Sequence, residues 1–331
     1  MPSLRLPDPE PGTLEQVREG VWSLVLPFHS HYPGRTLTYL LDAGDGVGVV
    51  DPAWGTEENR RLLGEGLARI GRRVEDVALV VVTHLHPDHI GMADGLRQAS
   101  GAAVALHRAD QRALEEGLPQ TDVSGDWFAT WGAPPERWPE LVRWWVEERR
   151  YPYVRADRLL DDGDLLPLAG RELTVLHTPG HTSGSICLVD QGDRAVFTGD
   201  HLLPDVYPGI ALGGASQRNQ LAEYLDSLDR LRPYDDWEAL PGHGWRFRPL
   251  GERRAKVEAH HRRRNAEVEA ALDALERPTV WQVAARLGWS GGWDAMTDYR
   301  LASALSQTEL HVDLLGRSDE LTRPGPQGAT E

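Results

Sequence analysis

Apolar and polar positions divide the chain into short β-type runs and amphipathic helical stretches. Residues 21–26, 36–41 and 46–50 are β-rich runs broken by Pro27, Pro33, Gly34 and the Asp-Gly pair at 45–46, which predicts a meander of antiparallel strands. Strand and helix then alternate: a helix over 57–70, a buried-type strand at 79–83, a helix over 91–100, a strand at 103–106 and a helix over 109–116. Strand-type runs return at 173–176, 185–189 and 195–198, followed by a helix over 217–231 and a last segment at 238–240. Strands, helices, strands, helices in that order predict two sheets with helices outside, an α/β fold built as a four-layer αββα sandwich.

Beyond about residue 249 the pattern becomes helical and basic. Val257, His261, Val268, Leu272 and Leu275 recur near i+4 and i+7 and predict one long helix. Thr279 and Gln282 form a capping box that starts a second, and Leu301, Leu305, Val312 and Leu315 mark a third that stops at Gly316. The expected domains are therefore a catalytic unit over 1–250 and a small helical unit over 251–331, with a Pro- and Gly-rich tail from Thr322. Between strands lies a tryptophan-rich stretch, about 118–153, in which Trp138, Leu141, Val142 and Trp145 line one helical face. That face either packs on the domain or on a second subunit or, with the turn at 27–35, covers a pocket as a lid.

Composition narrows the function classes. The 331 residues carry 35 Lys and Arg against 51 Asp and Glu, a net charge of −16, which disfavours nonspecific attraction to nucleic acid or anionic lipid. The longest purely apolar run, 77–82, is far short of the ~20 residues of a membrane helix. The first residues lack a basic-then-apolar secretory pattern, and the single cysteine, Cys187, reads as an inert buried thiol; the expected location is the cytoplasm. The helical tail and its apolar faces are compatible with a homodimer.

The chemistry is concentrated in His84-Leu-His86-Pro-Asp88-His89, four metal-ligand side chains in six residues directly after a strand. Further on stand His181 in Thr-Pro-Gly-His-Thr, Asp200 in Thr-Gly-Asp-His and His243 in Pro-Gly-His-Gly, each after a strand-like segment. Ligands at strand ends are what a sandwich needs if one edge is to gather them. The remaining histidines, His29, His31, His107, His177, His260, His261 and His311, read as core or surface residues.

The ordered set HxHxDH, PGHT, GDH and PGHG resembles the metallo-β-lactamase fold superfamily over about residues 15–250. The resemblance implies His84, His86 and His181 as ligands of a first metal ion, Asp88, His89 and His243 as ligands of a second, and Asp200 as the carboxylate bridging both. Zinc suits such a shell of imidazole and carboxylate, and iron or manganese can occupy it. Two divalent ions would acidify a shared water from a pKa of ~15.7 toward ~7, giving a bridging hydroxide, with Asp88 and Asp200 as the carboxylates engaged in catalysis. Asp51, after an apolar strand, resembles the family's aspartate that orients a ligand histidine. His201 is a candidate substrate contact.

The function this implies is a dinuclear hydrolase of a small ester, thioester or lactone, with a β-lactam among the compatible substrates. The tail resembles the winged-helix-like tail of some of these hydrolases. Its Arg253, Arg254, Lys256, Arg262, Arg263 and Arg264 are a solvated face or a phosphate-binding stripe. The rival readings are a ribonuclease or phosphodiesterase of the same fold, a mononuclear iron sulfur dioxygenase, and a regulatory binding protein in which the tail dominates.

Overall fold

The computed structural model describes residues 9–28, 34–117, 125–143, 152–168 and 171–324. His29, His31, Trp144, Trp145 and the side chain of Trp127, with much of the two candidate lid segments, lie outside the described residues.

The first sheet runs in chain order through seven strands. These are β1 (Leu14–Arg18), β2 (Val21–Pro27), β3 (Arg35–Asp42), β4 (Val47–Val50), β5 (Val77–Val81), β6 (Ala103–His107) and β7 (Arg158–Leu160). β1 to β4 pair antiparallel through short turns, as the meander pattern predicts. From β4 to β7 the pairing is parallel. That switch requires crossover connections, which the helices Glu57–Arg69 and Ala93–Ser100 supply. The second sheet has five strands in the order β12-β11-β10-β9-β8. They are β8 (Leu165–Leu168), β9 (Arg171–His177), β10 (Ile186–Asp190), β11 (Ala195–Gly199) and β12 (Glu238–Pro241).

The sheets meet through one apolar layer in which Tyr39, Leu41 and Val81 face Val175, Leu188 and Phe197. On the outside, Leu63, Leu67 and Leu96 pack on the first sheet, and Tyr224, Leu228 and Val257 on the second. This is the αββα sandwich expected from the chain pattern. Three strands have no counterpart in that pattern: β1, β7 and β8. Their apolar positions are too few or too interrupted to register, with only Val17 buried in β1 and only Leu160 in β7.

The tail is helical, with helices Leu250–Asp273, Val280–Ala284 and Asp298–Leu314. Both hydrogen bonds of the capping box form: Gln282 N–H donates to Thr279 Oγ1 at 3.2 Å and Thr279 N–H donates to Gln282 Oε1 at 2.8 Å. The long helix serves both units, since Leu250 and Val257 pack beneath the second sheet while Val268 and Leu272 join the tail's own core. It ends before Leu275. Phe128, Trp131 and Leu141 of the tryptophan-rich stretch belong to that same tail core, with Trp138 packed against it, so its apolar face is spent on packing. Of the six basic residues singled out in the tail, Lys256, Arg262 and Arg263 are exposed. Arg253, Arg254 and Arg264 are buried, and Arg254 pairs with Asp235 and Glu258.

Where the tail docks on the sandwich, His261 is buried against Tyr224, His260 and His311, with Arg264 adding positive charge. Neither ring nitrogen of His261 has a hydrogen-bond partner. Burial first, then these neighbours, push its pKa down to about 3, and His311 falls to about 2 for the same reasons. A folded pKa below the unfolded ~6.5 means stability that is complete above that value and is lost as pH falls. At pH 5 each such histidine should cost about 2 kcal/mol. Thermal melts between pH 7 and 5 should therefore show a steep acid limb that His261→Phe flattens; an equally steep limb in the variant would remove this explanation.

Candidate metal centre and cleft

Topology gathers the candidate ligands. β9, β11 and β12 point the same way, so the segments that follow them, carrying His181, Asp200 and His243, emerge at one rim of the second sheet. β4 and β5 likewise deliver Asp51 and the 84–89 segment to one rim of the first. The rims are stitched together where Ile186 N–H donates to Thr83 O at 2.9 Å. Pro87 opens a single turn, Pro87–Ile90, which puts Asp88 and His89 beside His84 and His86.

All seven side chains converge, although up to 159 positions separate them in the chain. His86 Nδ1 lies 2.9 Å from His84 Nε2 and 3.0 Å from His181 Nε2. His243 Nε2 lies 3.3 Å from His89 Nε2 and 3.2 Å from Asp88 Oδ2. Asp200 stands between the two groups: Oδ1 is 3.5 Å from His89 Nε2, and Oδ2 is 3.3 Å from His243 Nε2 and 3.8 Å from His181 Nε2. Donor atoms fall into three overlapping triplets: His84, His86 and His181; His84, His89 and Asp200; Asp88, His89 and His243.

The outward-facing nitrogens decide what this cluster can hold. His181 Nδ1–H donates to Gly209 O at 2.6 Å, His243 Nδ1–H to Arg35 O at 2.5 Å, and His86 Nε2–H to Leu212 O at 3.2 Å. His89 Nδ1 meets Asp51 Oδ2 at 2.9 Å, and His84 Nδ1 meets the Thr83 hydroxyl at 3.1 Å. With the outer nitrogen carrying the proton, the inner one offers a lone pair to the centre. Inward lone pairs, two carboxylates and a buried Asp200 Oδ1 without a hydrogen-bond partner suit cations at the centre.

Electrostatics agree. Burial, reinforced by neighbouring imidazoles, pushes His84 down and takes His86 to about 3, so that half is neutral. Burial opposes protonation of His89 and His243 as well, yet Asp200 and its companion carboxylates raise both, His243 to about 10. Asp88 is held near about 2 because His89 and His243 outweigh its burial. This half of the cluster demands positive charge.

Asp51 does more than cap a turn. At φ 52 it accepts from Thr83 N–H and Thr83 Oγ1–H, both at 2.7 Å, as well as from His89. Asp110, which the sequence does not single out, is a second clamp. Fully buried, it accepts from Leu85 N–H at 2.8 Å, Thr182 Oγ1–H at 2.9 Å and Gly184 N–H at 2.6 Å, tying the His84–His86 turn to the His181 turn. Burial pushes its pKa up to about 7, against the pull of these three donors. A Cβ on Gly184 would stand 2.6 Å from the Asp110 carboxylate carbon. At Gly242 a Cβ would come within 2.7 Å of Asp200 Oδ1, so only glycine fits behind that ligand. Helical Asp110 carried no motif signature; a buried acid beside strand-end loops is visible only in three dimensions.

His201 does not face the cleft. It is 1% exposed, packed on Tyr224, with both ring nitrogens unpartnered. Cys187 is buried, its thiol pushed up to about 12, as expected of an inert residue. The centre opens instead into a cleft of about 780 Å³, where His181, Asp200 and His243 form the floor. One wall is apolar, Leu203, Val206, Tyr207 and Pro208; the other comes from the tail, with Thr297, Tyr299 and Arg300.

If Asp110 positions the histidine turns, Asp110→Asn, which sets an amide N–H against at least one of the three donors, should weaken zinc binding about 10- to 100-fold. The apo fold should lose only about 1–3 kcal/mol. Competition with a chromogenic chelator and melts of the chelated protein separate the two; unchanged zinc affinity would show that the clamp is only structural.

Comparison with known proteins follows the geometry. The profile of the Metallo-beta-lactamase superfamily matches residues 31–243. Acyl-coenzyme A thioesterase MBLAC2 of Gallus gallus is 36% identical over 170 residues, 50% of this chain and 56% of that protein. The match thus spans little more than half of that thioesterase. The probable metallo-hydrolase YqjP of Bacillus subtilis is 27% identical over 87% of this chain and 90% of its own. The crystal structure of a metallo-beta-lactamase family protein from Thermus thermophilus superposes with a TM-score of 0.73 at 28% identity, covering 92% of this chain and 95% of that one. The chain belongs to the metallo-beta-lactamase superfamily.

Proposed function

We propose that this protein is a dinuclear metal-dependent hydrolase of acyl thioesters, a class that extends to small esters and lactones and, more remotely, β-lactams. The observation that carries the reading is the converging set of seven donor side chains, three of which, His181, Asp200 and His243, floor a large, half-apolar cleft. Similarity to acyl-coenzyme A thioesterases over half the chain selects thioesters among the carbonyl compounds such a floor can serve.

In this reading His84, His86 and His181 would hold one ion, Asp88, His89 and His243 the other, and Asp200 would serve both; zinc is the proposed metal. Bound metal would supply an acidified water and a Lewis acid for a carbonyl oxygen. The Asp88 carboxylate would accept a hydrogen bond from the attacking water and orient it. Asp51 and Asp110 fix the rings and turns that carry the ligands, so that little reorganisation is needed when charge develops. The apolar wall from Leu203 to Pro208 holds the acyl chain and excludes bulk water from the reacting carbonyl.

A single-iron dioxygenase would leave Asp88, His89 and His243 without a task. A nuclease would need open basic surface, whereas Arg254 and Arg264 are engaged by acids of their own surroundings. The catalytic unit proposed for residues 1–250 would act with the helical 251–331 unit docked on it. A winged-helix likeness of that unit would rest on its three helices alone, because no strand occurs among the described residues of 250–324. Among the described residues no helix is long and apolar enough to cross a membrane.

Metal analysis of purified protein should find two ions per chain, together with turnover of acyl thioesters ahead of lactones, β-lactams and phosphodiesters. Asp200→Ala should lose both two-ion occupancy and at least about 10³-fold in kcat/KM, about 4 kcal/mol. One iron per chain, or a fully active Asp200→Ala, would overturn the assignment.

A further inference from the structure

The far wall of the cleft lies outside the residues matched to the superfamily: Ser290, Thr297, Asp298, Tyr299 and Arg300 come from the tail, beyond residue 243. Arg300 is the single Lys or Arg among the described residues lining the cleft. It is exposed, its guanidinium donates to Ser290 O, and among the described residues it pairs with no carboxylate. Neighbouring arginines are committed: Arg143 to Asp298, Arg137 to Glu140 and Arg264 to Glu267. The segment that presents Arg300 is held firmly. Asp298 sits at φ 47, a conformation that side chains avoid, and is kept there by its N–H donating to Glu140 Oε2 at 2.9 Å and by the Arg143 ion pair.

The opposite wall is equally fixed. Arg253 donates to Leu203 O at 2.6 Å and to Val206 O at 2.5 Å, and lies 4.8 Å over the Tyr207 ring, which in turn stacks on His260 at 3.8 Å. Tyr207 nevertheless remains 40% exposed. A cleft of about 780 Å³ with an apolar wall and a lone uncommitted cation matches a long amphipathic ligand whose far end is anionic. A polyanion approaching a chain of net charge −16 meets repulsion, but charges beyond about 8 Å are screened at physiological salt, so a local cation decides its fate. Of the acids that line the cleft, Asp298 is already paired with Arg143, Asp200 sits on the floor among the histidines, and the exposed Asp205 belongs to the 203–208 wall.

We propose that Arg300 receives the phosphates of a thiol leaving group carried on a nucleotide, as in coenzyme A, so that the tail selects the substrate while the sandwich performs the chemistry. The proposal rests on the thioester reading above and adds the class of thiol.

The test compares an acyl-coenzyme A with the same acyl group on N-acetylcysteamine, which lacks phosphates. Arg300→Glu should lower the ratio of their kcat/KM values at least about fivefold, chiefly through KM for the acyl-coenzyme A. Arg300→Lys should recover part of it, and added salt should shrink the wild-type ratio. In parallel, titration of the protein with desulfo-coenzyme A, which has no thiol to grip a metal, should give a Kd at least about fivefold weaker in Arg300→Glu. Equal losses on both thioesters, an unchanged ratio, equal Kd values or no wild-type binding of desulfo-coenzyme A at millimolar concentration would overturn the assignment. If the wild type hydrolyses neither thioester, the thioester reading falls, and the desulfo-coenzyme A titration alone decides the subsite.

Discussion

Five imidazoles can turn bare nitrogens toward one another only if their other nitrogens are held from outside. Here Gly209, Arg35 and Leu212 lend backbone carbonyls, Asp51 a carboxylate and Thr83 a hydroxyl. Each of these contacts fixes a ring's orientation and its proton, and together they leave a centre rich in lone pairs and poor in donors. Buried groups of this kind are costly unless compensated, so the packing of the rest of the sandwich must overdetermine their positions. The two sheet rims do so, because strand ends are the most rigid points from which loops can start.

The loop over 203–213 joins the metal centre to the tail. Its Gly209 and Leu212 carbonyls receive His181 and His86, and its Leu212 and Ala211 N–H groups donate to the carbonyls of His181 and Gly180 at 2.8 Å. The Leu212 side chain is buried in the tail's core, and the Tyr299 hydroxyl lies 2.8 Å from where a Gly209 Cβ would stand. At the other end Arg253 holds Leu203 and Val206 by their carbonyls. Displacement of the tail would thus be felt at His181 through two hydrogen bonds and at His86 through one. The helical unit is mechanically part of the site.

The two-sheet order was legible because period and punctuation agree over long runs such as 36–41, 57–70 and 195–198. The candidate ligands were legible because a cluster of four in six residues is rarely accidental. What the chain pattern hides depends on contacts between distant residues. β1 and β7 are edge strands with one buried side chain each, too weak a signal for a periodicity argument. Asp110 looks like any acid on an amphipathic helix until its carboxylate meets two turns, 25 and 72 positions away. Packing turns His201 inward and, among the described residues of the tryptophan face, sets Trp138, Leu141 and Val142 against the tail.

A cluster of donor side chains suited to cations acts on charge at the reacting centre and on little else, which is why one sandwich can serve many chemistries. Selectivity therefore has to come from surfaces that touch the parts of the substrate that do not react. In this molecule those surfaces belong to the 203–209 loop, fastened by Arg253 of the tail, and to the segment around Asp298, and neither supplies one of the seven converging donor atoms. The strained backbone at Asp298 is held by Glu140 and Arg143, which belong to the tryptophan-rich stretch. The tryptophan-rich stretch and the tail thus converge on one wall, and a change at Glu140, Arg143 or Asp298 would alter which substrates fit without removing any contact to the seven inward-facing side chains.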